Sequence, residues 1–189
     1  MKILQLAFAG AVVLASLTGN ALAQAKEYIT ITLKDGPVVI ELLPEVAPKH
    51  VARIKELAEA GEYNNVAFHR VIPGFMAQTG DVQYGNMEKD FKADMAGMGG
   101  SSKPNVEAEF SKVPFARGTV GMARSQDPNS ANSQFFIMFA PGDFLNGQYT
   151  VVGQVVEGME NVDKIKKGDE ANNGSVTDPD RMISVKVGK

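Results

Sequence analysis

The residues with the most chemical promise fall in one eleven-residue run, Phe68-His69-Arg70-Val71-Ile72-Pro73-Gly74-Phe75-Met76-Ala77-Gln78. It sets a lone guanidinium and a carboxamide among apolar and aromatic side chains, beside Phe75 and Met76. If both halves are β-structure, alternation puts Phe68, Arg70 and Ile72 on one face of the first half. It likewise groups Met76 with Gln78 in the second. One reading is a site of fixed polar donors beside an apolar slot. The plainer one is an Arg buried against a carboxylate, with the rest as core. Residue types alone leave both open.

Other chemistries find less support. A metal site needs several His, Cys or clustered carboxylates, and the chain offers His50 and His69 without a partner at ligand spacing. Cysteine is absent, which removes thiolate catalysis, a disulfide framework and a lipid-modified N-terminal cysteine. Residue types leave a Ser-His-Asp hydrolase open, yet no Gly-x-Ser-x-Gly elbow occurs. The run Gly97-Met98-Gly99-Gly100-Ser101-Ser102-Lys103 lacks the order of a phosphate loop and reads as flexible loop. Asn173-Gly174-Ser175 has the form of a glycosylation sequon, a triplet common by chance.

The chain has 189 residues, and its first segment does not belong to the fold. Lys2 precedes an apolar run from Ile3 to Leu17, and Ala21-Leu22-Ala23 has the small-x-small pattern of a signal-peptidase site. Residues 1–23 are therefore read as a cleaved secretory signal. An uncleaved anchor is the alternative, but the run falls short of the roughly 20 residues needed to span a bilayer. Residues 24–189 are expected to form one domain. Its charge is −4, the chain's −3 less the single base Lys2. That balance disfavours nucleic acid and anionic lipid as partners. The expected destination is the periplasm, with free secretion as the alternative, and no stable membrane association after cleavage.

The elements that must position these residues are mostly short strands. Ile29, Ile31 and Leu33, then Val38, Ile40 and Leu42, alternate about a Lys34-Asp35-Gly36-Pro37 turn and predict a hairpin. A helix is predicted from Pro48, with Val51, Ile54, Leu57 and Ala58 on one face and Gly61 at its end. Strand-like runs follow at Val66–Ile72, Phe75–Thr79, Thr119–Ala123, Gln134–Phe139, Val151–Val156 and Met182–Val187. A second short helix is expected over Asn161–Lys166. About eight strands and two helices, without βα alternation, predict an antiparallel barrel or sandwich. Asp81 to Glu109, rich in Gly, Met and charge, reads as a long functional loop.

The run from Phe68 through Asp81 resembles the cyclophilin signature. Ser133-Gln134-Phe135-Phe136-Ile137, and then Phe144 through Gly153, resemble its second half, with Gly118–Arg124 similar to the strand before it. The resemblance runs from about residue 28 to 187. It implies a mainly β fold, a closed eight-stranded antiparallel barrel capped by two α-helices, and peptidyl-prolyl cis-trans isomerase activity without cofactor or metal. By resemblance Arg70 is the central catalytic residue, and Gln78 helps to hold the substrate backbone. Phe75, Met76, Phe136 and Leu145 surround the proline ring, while Ala123, Arg124 and Gln134 bind the extended peptide.

Two positions depart from the best-known eukaryotic pattern. Phe144 stands where Trp is frequent, which implies weakened cyclosporin binding, and Tyr149 stands where His is common. Ser125–Asn132 is one residue longer than in those relatives, and no role is carried into it. The expected partners are proline-containing polypeptides, bound by a monomer. A non-catalytic proline-binding module or holdase on the same fold is the alternative reading, and an isomerisation assay separates the two.

Overall fold

The computed structural model describes residues 25–189; the signal segment expected over residues 1–23 lies outside the described residues. The predicted hairpin forms from β1 (Glu27–Leu33) and β2 (Gly36–Leu42), joined by the two-residue turn Lys34-Asp35 with Leu33 opposite Gly36. Helix α1 covers Pro48–Glu59 and buries Val51, Ile54, Leu57 and Ala58 against the sheet. It ends as Gly61 predicts. The Gly61 N–H donates to the Ala58 carbonyl and the Glu62 N–H to that of Leu57, closing the last turn through a left-handed glycine (φ 71°).

The remaining elements are β3 (Val66–Ala67), β4 (Arg70–Ile72), β5 (Met76–Thr79), β6 (Thr119–Met122), β7 (Phe135–Met138), β8 (Val151–Glu157), α2 (Met159–Asp163), β9 (Arg181–Met182) and β10 (Ser184–Val187). Eight of the strands form one antiparallel sheet in the order β10-β1-β2-β8-β6-β7-β5-β4. The second helix begins two residues earlier than expected and ends three earlier. Its Val162, with Ile165 just beyond it, is buried, and Asn161 Nδ2 ties it to the hairpin at the Pro37 carbonyl (3.0 Å).

The sheet is a curled half-barrel rather than the closed barrel expected. β10 and β4 are its ends, and no ladder joins them; a separate two-stranded sheet, β3 with β9, takes up the intervening chain. The cause is local. The predicted strand Val66–Ile72 is interrupted at Phe68-His69, where the Phe68 N–H donates to the Asp180 carbonyl, outside either ladder. Phe68 consequently turns into the main core, fully buried, and does not share the Arg70 face as alternation had placed it. On the other side Ile183 separates β9 from β10.

Both histidines of the chain are buried. His50, on α1, places Nδ1 2.7 Å from Glu109 Oε2, while its Nε2 has no partner among the described residues. Glu109 reaches in from the long loop and also accepts the backbone N–H groups of Lys49 and His50 (3.1 Å each). It thus supplies the N-terminal cap that Ala47 cannot. Burial lowers the His50 pKa, against the opposing pull of Glu109. For Glu109 burial acts upward, but its bonds from His50 and Lys49 leave the carboxyl below its ordinary value. His69 is lowered by burial too, with the Asp81 carboxylate opposing. A histidine with a depressed native pKa favours folding fully above the unfolded-state value, about 6.5. That contribution shrinks as pH falls, because the unfolded chain then binds more protons. The depressed Glu109 acts in the same sense at lower pH. The thermal midpoint is therefore expected to fall from about pH 7.5 to about pH 5.5, and less steeply in His50→Gln; a midpoint flat across that window contradicts the burial argument.

Candidate active site

The antiparallel register assembles the site. Arg70 on β4 lies opposite Gln78 on β5, Gln78 opposite Phe136 on β7, and Phe136 opposite Gly121 on β6. The neighbouring row, Val71, Ala77, Ile137 and Val120, points the other way and is at most 1% exposed in the main core. The row beyond it, Ile72, Met76 and Met138, returns to the Arg70 side and joins a second apolar cluster with Phe115, Phe136 and Leu145. Side chains on alternate rows of a sheet face opposite ways, so one register gives one face to the core and the other to a groove. Gly121 completes the row with no side chain. A Cβ there would lie 2.5 Å from the Phe115 ring and 2.6 Å from that of Phe136, and the two stacked rings (centroids 5.7 Å apart) occupy that space.

Arg70 is partly buried and held by three acceptors. Nε donates to the Asn173 carbonyl (3.0 Å), Nη2 to Asn173 Oδ1 (2.9 Å) and Nη1 to Gln78 Oε1 (3.1 Å). All three acceptors are neutral, and no carboxylate lies within ion-pair distance among the described residues. The alternative of an Arg neutralised by a buried carboxylate is thereby removed. Burial lowers the Arg70 pKa, with Tyr149 opposing, but a guanidinium keeps its proton at any working pH. The site presents a fixed, uncompensated positive charge.

Its Gln78 partner is itself fixed. Gln78 Nε2 donates to Gln134 Oε1 (3.0 Å), and Gln134 Nε2 donates to the carbonyls of Gly97 (3.0 Å) and Gly99 (2.7 Å) in the long loop. That loop is pinned by Asp81, fully buried, whose carboxylate accepts the N–H groups of Gln83, Tyr84, Gly97 and Gly99 at 2.7–3.1 Å.

Beside the guanidinium opens a recess of about 240 Å³. Phe75, Met76, Phe136 and Leu145 give it apolar walls, while Arg70, Gln78, Ala123, Arg124, Phe144 and Tyr149 form its rim. Ten of the eleven residues singled out in the sequence thus line one cavity. The eleventh, Gln134, lies in an adjoining recess of about 300 Å³ that shares Gln78, Ala123 and Arg124 with the first. Tyr149 meets Phe136 edge-on at 5.8 Å and lies under the Arg124 guanidinium, 4.4 Å away. Phe144, tilted against Phe75 at 5.4 Å, is 71% exposed. The Ala123 N–H is already given to the Gln134 carbonyl, which leaves it no free donor for a peptide.

Sequence reasoning missed two residues. Asn173 holds Arg70 through both its carbonyl and its side chain, and adopts a left-handed backbone (φ 53°) that asparagine tolerates. Its triplet had drawn attention only as a chance sequon. Phe115 backs Phe136 and is fully buried. Phe110, by contrast, is 43% exposed.

The site is thus a shallow apolar recess on the outer face of a curled antiparallel sheet, with a fixed cation at its rim. Comparison with known proteins gives that description its family. The model of the cyclophilin type peptidyl-prolyl cis-trans isomerases matches residues 28–187. A probable peptidyl-prolyl cis-trans isomerase of Brucella suis is 66% identical over 165 residues, covering 87% of this chain and 84% of that protein. Peptidyl-prolyl cis-trans isomerase B of Escherichia coli is 38% identical over 146 residues, or 73% of this chain and 83% of that protein. Among solved structures, the cyclophilin AquaCyp293 from Hirschia baltica superposes with a TM-score of 0.68 at 26% identity, covering 85% of this chain and 76% of that one. The chain belongs to the cyclophilin-type peptidyl-prolyl cis-trans isomerase family, and its activity is rotation about the X–Pro peptide bond.

The Asn173 clamp can be tested on that activity. Asn173→Gly keeps the left-handed backbone and its carbonyl but removes Oδ1. One net hydrogen bond is worth about 1 kcal/mol, so kcat/KM for a proline peptide is expected to drop roughly fivefold, carried mainly by kcat. An unchanged rate would show that Gln78 and the Asn173 carbonyl suffice.

Proposed function

We propose that Arg70 is the catalytic residue and acts on the prolyl nitrogen. Rotating a peptide bond costs about 18–20 kcal/mol because resonance gives the C–N bond double-bond character. The cis and trans forms of X–Pro lie within roughly 1 kcal/mol, so the exchange is balanced but slow. No bond breaks, and no nucleophile is needed. At the half-turned state the nitrogen pyramidalises and its lone pair localises. A donor aimed there binds that state better than either planar one, which is the condition for acceleration. The observation that carries this reading is the Arg70 guanidinium, fixed by three neutral acceptors at the edge of an apolar recess with no carboxylate to satisfy it.

The other residues take supporting roles. Phe75, Met76, Phe136 and Leu145 enclose the proline ring; burying its three methylenes contributes roughly 2 kcal/mol. This holds the ring still while the acyl side turns. Gln78 fixes Arg70 and offers its amide to the substrate backbone, with Gln134 steadying Gln78. Ala123 and Arg124 lie along the extended peptide, Tyr149 closes the far wall, and Phe144 lies over the mouth. No cofactor or metal enters this scheme. With Phe in place of an indole donor at 144, cyclosporin is bound weakly.

The chain is further proposed to work outside the cytoplasm, in the periplasm, or secreted in the alternative. Residues 1–23 would be removed and residues 24–189 would act as one monomeric domain on exported polypeptides. The basis is the Lys2 n-region, the apolar run and Ala21-Leu22-Ala23. Proline-containing exported polypeptides are its substrates, while nucleic acid is not, given a mature charge of −4 from the chain's −3 less Lys2.

Arg70→Ala is expected to lower kcat/KM for X–Pro rotation in a short peptide by about 10²- to 10³-fold while the protein keeps its fold by circular dichroism. Full activity in that variant means the cation has been misassigned. In the same assay, Phe144→Trp is expected to lower the cyclosporin concentration needed for inhibition by roughly fivefold, one added hydrogen bond. Mass spectrometry of the protein recovered from the native host's extracytoplasmic fraction should give Gln24 as the first residue; an intact Met1 or a cytoplasmic location would sink the export proposal.

A further inference from the structure

The chain contains five arginines. Three are paired with carboxylates: Arg53 with Glu56 (3.7 Å), Arg117 with Asp163 (2.6 Å) and Arg181 with Glu88 (3.2 Å). The two without a carboxylate partner among the described residues, Arg70 and Arg124, are the two that line the groove. Neither the apolar recess nor the adjoining one has an Asp or Glu in its wall. A protein of net charge −3 therefore presents a groove with two cations and no anion. Arg70 is assigned to the rotation itself; Arg124 is not.

Arg124 lies where the two recesses meet, since both include it. Its guanidinium is held only by carbonyls: Nε and Nη2 donate to Gln148 O (3.3 and 2.9 Å), and Nη1 donates to Ser125 O (2.8 Å) and more distantly to Gln126 O (3.5 Å). Its lower face covers the Tyr149 ring. Of five N–H groups, one on Nη2 has no acceptor, and the charge itself has no counter-ion. The side chain is braced in place rather than free to fold away.

With a proline ring in the apolar recess, a reading that rests on the function proposed above, an extended chain leaving along Ala123 passes this guanidinium. We infer that the groove selects proline segments carrying an acidic side chain, Asp or Glu, within two residues of the proline, and that Arg124 is the residue that selects them. The substrate class is then acidic-flanked X–Pro segments of polypeptides, and basic-flanked ones are disfavoured by the same charge.

The test is a set of short single-proline peptides with Glu, Gln or Lys at each of the two positions before and the two after proline. The wild-type protein is expected to show kcat/KM in the order Glu, Gln, Lys at one or two adjacent positions. A Glu-to-Lys ratio of roughly fivefold is the size of one partly exposed ion pair, and it should shrink at high salt. Arg124→Gln is expected to remove most of that ratio, Arg124→Lys to retain it and Arg124→Glu to reverse it. Because each variant is read as a ratio between peptides, loss of overall rate does not blur the result. Flat ratios at every position, or a ratio that survives Arg124→Gln, overturn the inference. The Gln series separates this from the assignment of the groove: wild-type protein that fails to turn over the Gln peptides contradicts the groove, while normal Gln turnover with flat ratios contradicts only the charge preference.

Discussion

The pairing register of β4, β5, β7 and β6 is the constraint on which the site depends. Because side chains alternate, a shift of one residue in any of these ladders would send Arg70, Gln78 or Phe136 into the core. It would also turn Val71, Ala77 or Ile137 out to water. Each inward row is fully buried, so the main core and the groove enforce one another. Burial of the inward row fixes the position of a guanidinium that makes no contribution to that core. The geometry proposed for catalysis is thus secured by hydrophobic packing on the opposite face of the same strands.

Holding a cation in place without neutralising it is the harder requirement. A carboxylate beside Arg70 would fix it more firmly, but would also occupy the donors and cancel the field on which the proposed mechanism relies. The structure uses Asn173 and Gln78 instead, whose oxygens accept hydrogen bonds without carrying charge. Partial burial costs the guanidinium some solvation, visible in its lowered pKa. Three charge-assisted bonds offset that cost. The balance leaves an arginine that is rigid, protonated and still short of a counter-ion, and a polarised substrate nitrogen can supply part of what is missing.

Much of this was legible in the sequence where the signal is local. Pro48 and Gly61 mark the bounds of α1 because a first-turn proline and a left-handed glycine act within a few residues. The hairpin follows from alternation about a two-residue turn. The interruption at Phe68-His69 was not legible, since strand-forming types run straight through it; Val66 to Phe68 instead follow the Asp180–Met182 segment, over a hundred residues away in the chain. That the sheet stays an open half-barrel was not legible for the same reason. The Glu109 cap on α1 and the Asn173 clamp on Arg70 are likewise contacts between distant segments, and neither residue type announces its partner. The signature residues pointed to the groove through family resemblance, whereas the absence of any carboxylate around Arg70 had to await three dimensions.

The long irregular segment after β5 then acquires a physical role. Asp81 ends that strand, and its buried carboxylate gathers four backbone N–H groups, two of them from Gly97 and Gly99. The carbonyls of those same glycines accept from Gln134, which holds Gln78, which holds Arg70. A polar relay therefore runs from a buried anion to the partly buried cation through neutral amides, and each amide is oriented because it both donates and accepts. Cutting the relay at Asp81 would leave the loop's N–H groups unpaired and free Gln134 to rotate. Gln78 could then turn its oxygen from Arg70. The sheet sets where the guanidinium is; this relay, arriving from the loop side, restrains which way the amide facing it points.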